Sequence, residues 1–257
     1  MILELGSVAE LEPALAELAF FGRDDVVARV YVGYACSEAL RRTGVPAPPE
    51  PCPLPAVTCS IEPAVPRAAR RPGPYAVGDW RLSWSGAEYA AAVDAVRAAI
   101  AEGDVYQANL VQHLWADFDG DPSSVAEALA PLRPLEPEPL AGDGWTIVSA
   151  SPELLDAMLP GGSVTGCPKI AALDLIAALE PVGRGASMGA LGRIHPNGDL
   201  DLALTIRTFA IAEGRIHLWV GGGIVWDSDP EDEVEESWVK ARPLLAAIGA
   251  PLAEAVR

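Results

Sequence analysis

Glu233, Glu236 and Lys240 follow Asp229-Pro230 at intervals of three and four residues. On a helix opened by that Asp-Pro pair, both carboxylates leave one face and the ammonium lies one turn further on. Paired carboxylates at this spacing suit a hard divalent cation such as Mg²⁺, which takes oxygen ligands and keeps several waters. The plainer alternative is an exposed helix with an ordinary Glu236–Lys240 ion pair. Gly221-Gly222-Gly223 ends the apolar run just before it. Glycine inside a strand costs stability, so either a ligand or another backbone comes close there, or the strand bulges at a sheet edge. Such a run also offers amides to a carboxylate. Arg207 stands within the apolar run Leu200 to Ile211. A charge there is costly unless paired, and a guanidinium grips a carboxylate through two parallel hydrogen bonds. That carboxylate is either a ligand's or a structural partner's, such as that of Asp201.

These residues need elements to hold them. Ser85-Gly-Ala-Glu88 is a capping box, and Tyr89, Val93, Val96 and Ile100 recur at helical spacing, so a helix is expected over 86–102, closed by Gly103. A β-branched and aromatic run, Val105 to Trp115, reads as a strand. A second helix is expected from Pro168 to Glu180. A β-meander follows: Ala190 to His195, Leu200 to Ile211 and Arg215 to Trp226, with turns at Pro196-Asn-Gly198 and Glu213-Gly214. The last helix carries Val234, Trp238, Ala241, Leu245 and Ile248 at core spacing. Towards the N-terminus, Val8 to Phe21 reads as a helix and Val26 to Tyr34 as a strand. Pro46 to Pro74, rich in Pro, Arg and Ala, reads as an exposed linker or a loosely packed cover. Strand runs closed by helices indicate an α+β fold with antiparallel sheet.

Composition narrows the function. The 257 residues are half hydrophobic, which favours a globular core, and the net charge is −18. An acidic surface argues against nucleic acid and anionic membrane as partners. Cys36, Cys52, Cys59 and Cys167 show no metal-ligand spacing and no disulfide framework. With no signal-like N-terminus and no membrane-length apolar run, a cytoplasmic location is expected.

Four segments occur in order: Gly103-Asp-Val-Tyr-Gln-Ala-Asn-Leu-Val-Gln112, Gly161-Gly-Ser-Val-Thr-Gly-Cys-Pro-Lys169, Gly198-Asp-Leu-Asp-Leu-Ala-Leu-Thr-Ile-Arg-Thr208, and Gly221 to Pro230 followed by Glu233, Glu236 and Lys240. Together they resemble the signature regions of the chorismate-utilising enzymes, specifically component I of aminodeoxychorismate and anthranilate synthases. The resemblance implies a truncated anthranilate-synthase-like antiparallel β-sandwich with flanking helices. Residues 1–76 would be a remnant N-terminal lobe with its linker, and residues 77–257 the chorismate-binding catalytic domain. It further implies that Glu233 and Glu236 belong to a Mg²⁺ site that clamps the ring carboxylate of chorismate. Arg207 and the amides of Gly221 and Gly223 would hold the substrate's carboxylates, Thr165 and Gly166 would line the pocket, and Lys240 would reach the substrate or the metal-binding carboxylates. Gln107 occupies the position where water-adding members resemble one another in having a Lys base. Ammonia needs no such base, so an aminating enzyme supplied by a glutamine amidotransferase is implied, with aminodeoxychorismate preferred to anthranilate as product.

The same resemblance exposes a gap. In the family, the Ser-Pro-Glu segment, here Ser151-Pro-Glu153, is followed by a long stretch that carries a Pro-Ile-Lys/Ala-Gly-Thr motif, the other half of the metal site and a pocket His. Here Glu153 runs directly into Leu154-Leu-Asp-Ala-Met-Leu-Pro160 and Gly161. Ser187 falls where the family usually has a substrate-contacting Tyr, and Arg193 replaces an aromatic residue. An internal deletion near 153–154 is therefore expected to leave weak or no synthase activity.

Overall fold

The computed structural model describes residues 2–64, 73–132, 134, 138–149 and 162–250. In chain order the elements are β1 (Ile2–Leu5), α1 (Leu11–Glu17), β2 (Val26–Val32), β3 (Val57–Pro63), β4 (Tyr75–Val77), β5 (Arg81–Leu82), α2 (Gly86–Glu102), β6 (Gln107–Gly120) and α3 (Ser123–Leu129). Then come β7 (Leu140–Gly142), β8 (Trp145–Ser149), α4 (Gly162–Thr165), β9 (Gly166–Cys167), α5 (Lys169–Leu179), β10 (Ala190–Ile194), β11 (Leu200–Leu204), β12 (Thr208–Ala212), β13 (Arg215–Ile224) and α6 (Pro230–Ala247). The junction expected at Glu153 and Leu154 lies outside the described residues.

Among the described residues the strands form two antiparallel sheets. One runs β1-β3-β2-β10-β11; the other runs β4-β6-β13-β12-β8-β7, with β5 and β9 also paired to β6. Their facing surfaces meet in one cluster, in which Tyr31, Leu191 and Leu204 of the first sheet pack against Val111, Ile147, Ala210 and Trp219 of the second. The first sheet is covered outside by α1 through Leu11 and Leu15. Helices α2, α3, α5 and α6 cover the second. The α+β sandwich follows from these three buried layers.

Several expectations are met closely. Helix α2 spans 86–102, with the Ser85–Glu88 capping box formed and Gly103 left-handed at φ 85°. Asp229 caps α6, accepting from the amides of Glu231 and Asp232, with Pro230 in the first turn. Others need correction. The helix expected from Val8 to Phe21 is a single 3-10 turn followed by the short α1. The Pro-rich stretch is not all linker: Val57–Pro63 is a strand buried between β1 and β2, because Val57, Cys59 and Ile61 alternate inward. The meander is two hairpins in different sheets. β10 and β11 belong to the first and β12 and β13 to the second, so the chain crosses between layers at Thr205 to Arg207. Arg207 makes that crossing with a left-handed backbone, φ 51°, which breaks the long strand expected there.

A buried ion pair fastens the layers. Glu180 follows α5, and its carboxylate receives the Arg184 guanidinium at Nε (2.9 Å) and Nη2 (2.7 Å). The remaining donors of Arg184 reach Val164 O (2.9 Å) and Asn109 O (2.6 Å), while Glu180 also accepts from Val111 N–H (3.0 Å). The guanidinium stacks over the Tyr34 ring of the first layer at 4.7 Å. Burial acts to lower the Arg184 pKa, but the adjoining Glu180 charge more than offsets this and holds it above its ordinary value. Removing one member of so buried a pair strands the other. Arg184→Ala should therefore cost about 3–5 kcal/mol in a urea unfolding titration.

A second buried polar group sits between the sheets. His113 and Trp219 are cross-strand partners, and His113 Nε2 lies 3.1 Å from His217 Nδ1, with the two imidazoles stacked. Burial pushes His113 down to about 3, helped by His217, and pushes His217 down to about 4, helped by Arg215. Both are thus neutral in the folded protein where the unfolded chain would protonate them, below about pH 6.5. Their contribution is complete above that pH and is lost as pH falls towards 4, by up to ~1.4 kcal/mol per pH unit for each. Glu50 works in the opposite sense. Its carboxylate end packs under Gly183 and accepts from Gly185 N–H, and burial raises it to about 7, so its contribution is lost as pH rises. Two histidines outweigh one carboxyl: stability should fall between pH 6.5 and 4.5, and His113→Asn should flatten that slope in denaturant melts.

Candidate functional site

The site is assembled where β13 ends and α6 begins. β13 pairs with β6 without interruption from Arg215–Asp117 to Ile224–Ala108, so Gly221, Gly222 and Gly223 lie opposite Val111, Leu110 and Asn109 in unbroken register. There is no bulge, and the glycines answer different needs. A Cβ on Gly221 would stand 1.9 Å from Leu110 O, so this residue permits a close approach of two backbones. On Gly222 a Cβ would stand 3.1 Å from Glu233 Oε2, 3.4 Å from Glu236 Oε1 and 3.4 Å from Lys240 Nζ. The missing side chain is the space in which these three groups meet. Gly223 has room, its nearest neighbour being the Asn109 amide at 3.6 Å.

The three α6 side chains are therefore brought together, as their spacing implies. Lys240 Nζ is 2.5 Å from Glu236 Oε1 and donates to Gly221 O at 2.7 Å, so the ordinary i,i+4 ion pair is present and is also tied to the strand. Glu233 is half-buried and accepts from the Ser228 hydroxyl at 2.6 Å. The pair of carboxylates offers only oxygen donors, with half of the Glu236 side chain open to solvent. That chemistry fits a hard cation retaining water. Among the described residues no group of three or more His, Cys, Asp or Glu side chains converges, so two carboxylates are what this part of the chain supplies.

Gln107 begins β6 and pairs with Cys167 of β9, with Ala108 opposite Gly166. Gly166 has φ 144°, and a Cβ there would be 2.2 Å from Gln107 O, so only glycine lets this turn lie against the start of β6. Thr165, beside it, is fully buried. β12 is paired to β13 only as far as Phe209–Leu218. Beyond Leu218, among the described residues, the flank of β13 away from β6 has no ladder partner.

Arg207 departs from expectation. It is not a buried charge inside a strand but an exposed residue in the bend between sheets. Its guanidinium has no hydrogen bond or ion pair among the described residues. Asp201 is not its partner, being bonded to His195 Nε2 at 2.8 Å. By register Arg207 stands level with Val220, at the end of the sheet where the glycines lie, yet no contact joins it to the carboxylates. Ser187 is buried, with its hydroxyl unpartnered among the described residues.

Sequence reasoning overlooked two contributors. Asn109, buried in β6, donates to Ser163 O at 2.7 Å and so ties α4 to the strand opposite Gly223. Ser228 holds Glu233. The signal for Asn109 was a polar residue in an apolar strand; Ser228 was hidden among the turn-forming residues of Asp227 to Pro230.

Comparison with known proteins gives a family. The family model described as chorismate binding enzyme matches residues 56–155 and 153–246. Anthranilate synthase component 1 of Thermus thermophilus is 46% identical over 111 residues, 43% of this chain and 23% of that relative. Aminodeoxychorismate synthase of Streptomyces griseus is 47% identical over 89 residues, 35% of this chain and 12% of that relative. The matched part thus spans less than a quarter of either relative's length. In solved structures, anthranilate synthase component I from Streptococcus pneumoniae superposes with a TM-score of 0.74 at 19% identity, covering 84% of this chain and 80% of that one. The menaquinone-specific isochorismate synthase of Escherichia coli gives 0.64 at 13% identity, covering 96% and 84%. The chain belongs to the chorismate-binding enzyme family.

Proposed function

We propose that this chain binds chorismate beside the Gly222 face, as a shortened member of the branch that adds ammonia to it. The observation that carries the reading is the meeting of Glu233 Oε2, Glu236 Oε1 and Lys240 Nζ over a glycine at the open end of β13. Glu233 and Glu236 would hold Mg²⁺ together with waters. When bound, that ion supplies positive charge that neutralises a ring carboxylate in an otherwise acidic protein. The amides of Gly221 and Gly223, with Arg207 swung in from the neighbouring bend, would take a second carboxylate. Thr165 and Gly166 would bound the pocket at the start of β6. Gln107 would face the ring without acting as a base, leaving ammonia from a glutamine amidotransferase subunit as the nucleophile.

The favoured product is aminodeoxychorismate, leading towards para-aminobenzoate and folate. Anthranilate is the second reading, since relatives of both kinds match at similar identity. Turnover is expected to be weak or absent. The two blocks of the family match abut at 153–155, in keeping with a missing stretch that would carry the rest of the metal site. A non-catalytic chorismate-binding protein in the cytoplasm is the form this reading takes if no turnover remains.

Calorimetry with chorismate and Mg²⁺, run beside a fluorescence assay with added ammonia, tests the proposal. Saturable binding with little or no product is expected. No binding refutes the site, and brisk turnover refutes the loss of activity. Gly222→Ala sharpens the test, because the added methyl meets only the ends of flexible side chains. It should leave unfolding stability within about 1 kcal/mol while weakening Mg²⁺-dependent chorismate binding by about tenfold or more. Gly221→Ala, which meets backbone, should instead destabilise the fold.

A further inference from the structure

Ser228 lies outside the residues assigned above to substrate or metal, yet it is the one that grips Glu233. Its hydroxyl donates to Glu233 Oε1 at 2.6 Å and accepts from Val225 N–H at 3.1 Å. The Ser228 amide in turn donates to Val225 O at 3.1 Å, so Val225 to Ser228 is a closed turn with its polar groups joined. Ser228 is only 8% exposed. The turn connects the end of β13 to the cap of α6, and Glu233 is anchored from below by its N–H, which donates to Asp229 O at 3.0 Å.

With Oε1 occupied by Ser228, Oε2 is the Glu233 oxygen left facing the space above Gly222. We propose that Ser228 is a positioning residue for the cation site, holding the Glu233 carboxylate in one rotamer so that Oε2 is presented beside Glu236 Oε1. The proposal rests on the cation reading given above. A glutamate loses considerable rotamer freedom when it is ordered, and a hydroxyl that has already ordered it spares an arriving cation that loss. The two carboxylates are held in unlike ways. Glu236 is held by an ammonium whose charge competes with a metal ion, whereas Glu233 is held by a neutral hydroxyl that can stay in place once the ion has bound. Ser228 acts through Glu233 and touches neither ion nor substrate.

Mn²⁺ is the probe, titrated into the full chain and followed by electron paramagnetic resonance. Ser228→Ala should weaken Mn²⁺ binding by about 10–100-fold, and Ser228→Thr, which keeps the hydroxyl, should restore most of it. Ser228→Cys, of similar volume but a weak donor, is measured beside them in case the alanine variant does not fold. In a Glu233→Gln background the loss of the hydroxyl should change affinity little, because its target charge is gone. Unchanged affinity in Ser228→Ala and Ser228→Cys, or an equal loss in the Glu233→Gln background, overturns the proposal. If the unmodified protein takes up no Mn²⁺ saturably, the cation reading itself falls, and the inference with it.

Discussion

The structure depends on one guanidinium that water does not reach. Arg184 draws together the carboxylate after α5, a carbonyl of α4, a carbonyl of β6 and an aromatic ring of the first layer. A charge in that position is tolerable only when its donors find acceptors in good geometry, so the elements that carry those acceptors cannot drift apart independently. Asn109 is caught in this network by its carbonyl and uses its side chain to hold Ser163. The short turn that carries Thr165 and Gly166 is thereby fixed against the beginning of β6. That turn and the start of β6 thus owe their rigidity to a buried group that reaches both through their carbonyls.

The end of β13 follows a different logic. On β13 the requirement is absence: side chains are withheld at three successive positions so that a backbone can come close at Gly221 and helix-borne groups can reach the strand at Gly222. A helix lying across such a gap can send carboxylates to the sheet surface without burying them fully, since half the Glu236 side chain remains exposed. Solvation keeps the cost of two neighbouring negative charges low, and the Lys240 ammonium reduces it further.

Local order was readable where the pattern is periodic or where a cap is spelled out. The capping box at Ser85, the Asp229-Pro230 start of α6 and the i, i+3, i+7 placement of Glu233, Glu236 and Lys240 needed no tertiary information. Crossings between layers were not readable. Leu200 to Ile211 has the composition of one long strand, and nothing local marks the left-handed step at Arg207 that moves the chain from one sheet to the other. The strand Val57–Pro63 was masked by surrounding prolines, because turn-forming composition outweighs a short alternation when read in a window. Glu180 and Arg184 are four residues apart and could be taken for a surface pair; only the packing of α4, α5 and β6 around them makes them interior.

The edge-to-edge pairing of β2 with β10 has a consequence for how the chain is made. Residues near the beginning acquire a neighbour on one flank only when a strand from the last third of the molecule arrives. During synthesis, Val26–Val32 must therefore wait beside β3 with one backbone flank unsatisfied until Ala190–Ile194 has emerged. Contacts of such long sequence separation form late and slowly. The interval leaves an apolar strand with an open flank, the kind of edge to which a foreign β segment can pair.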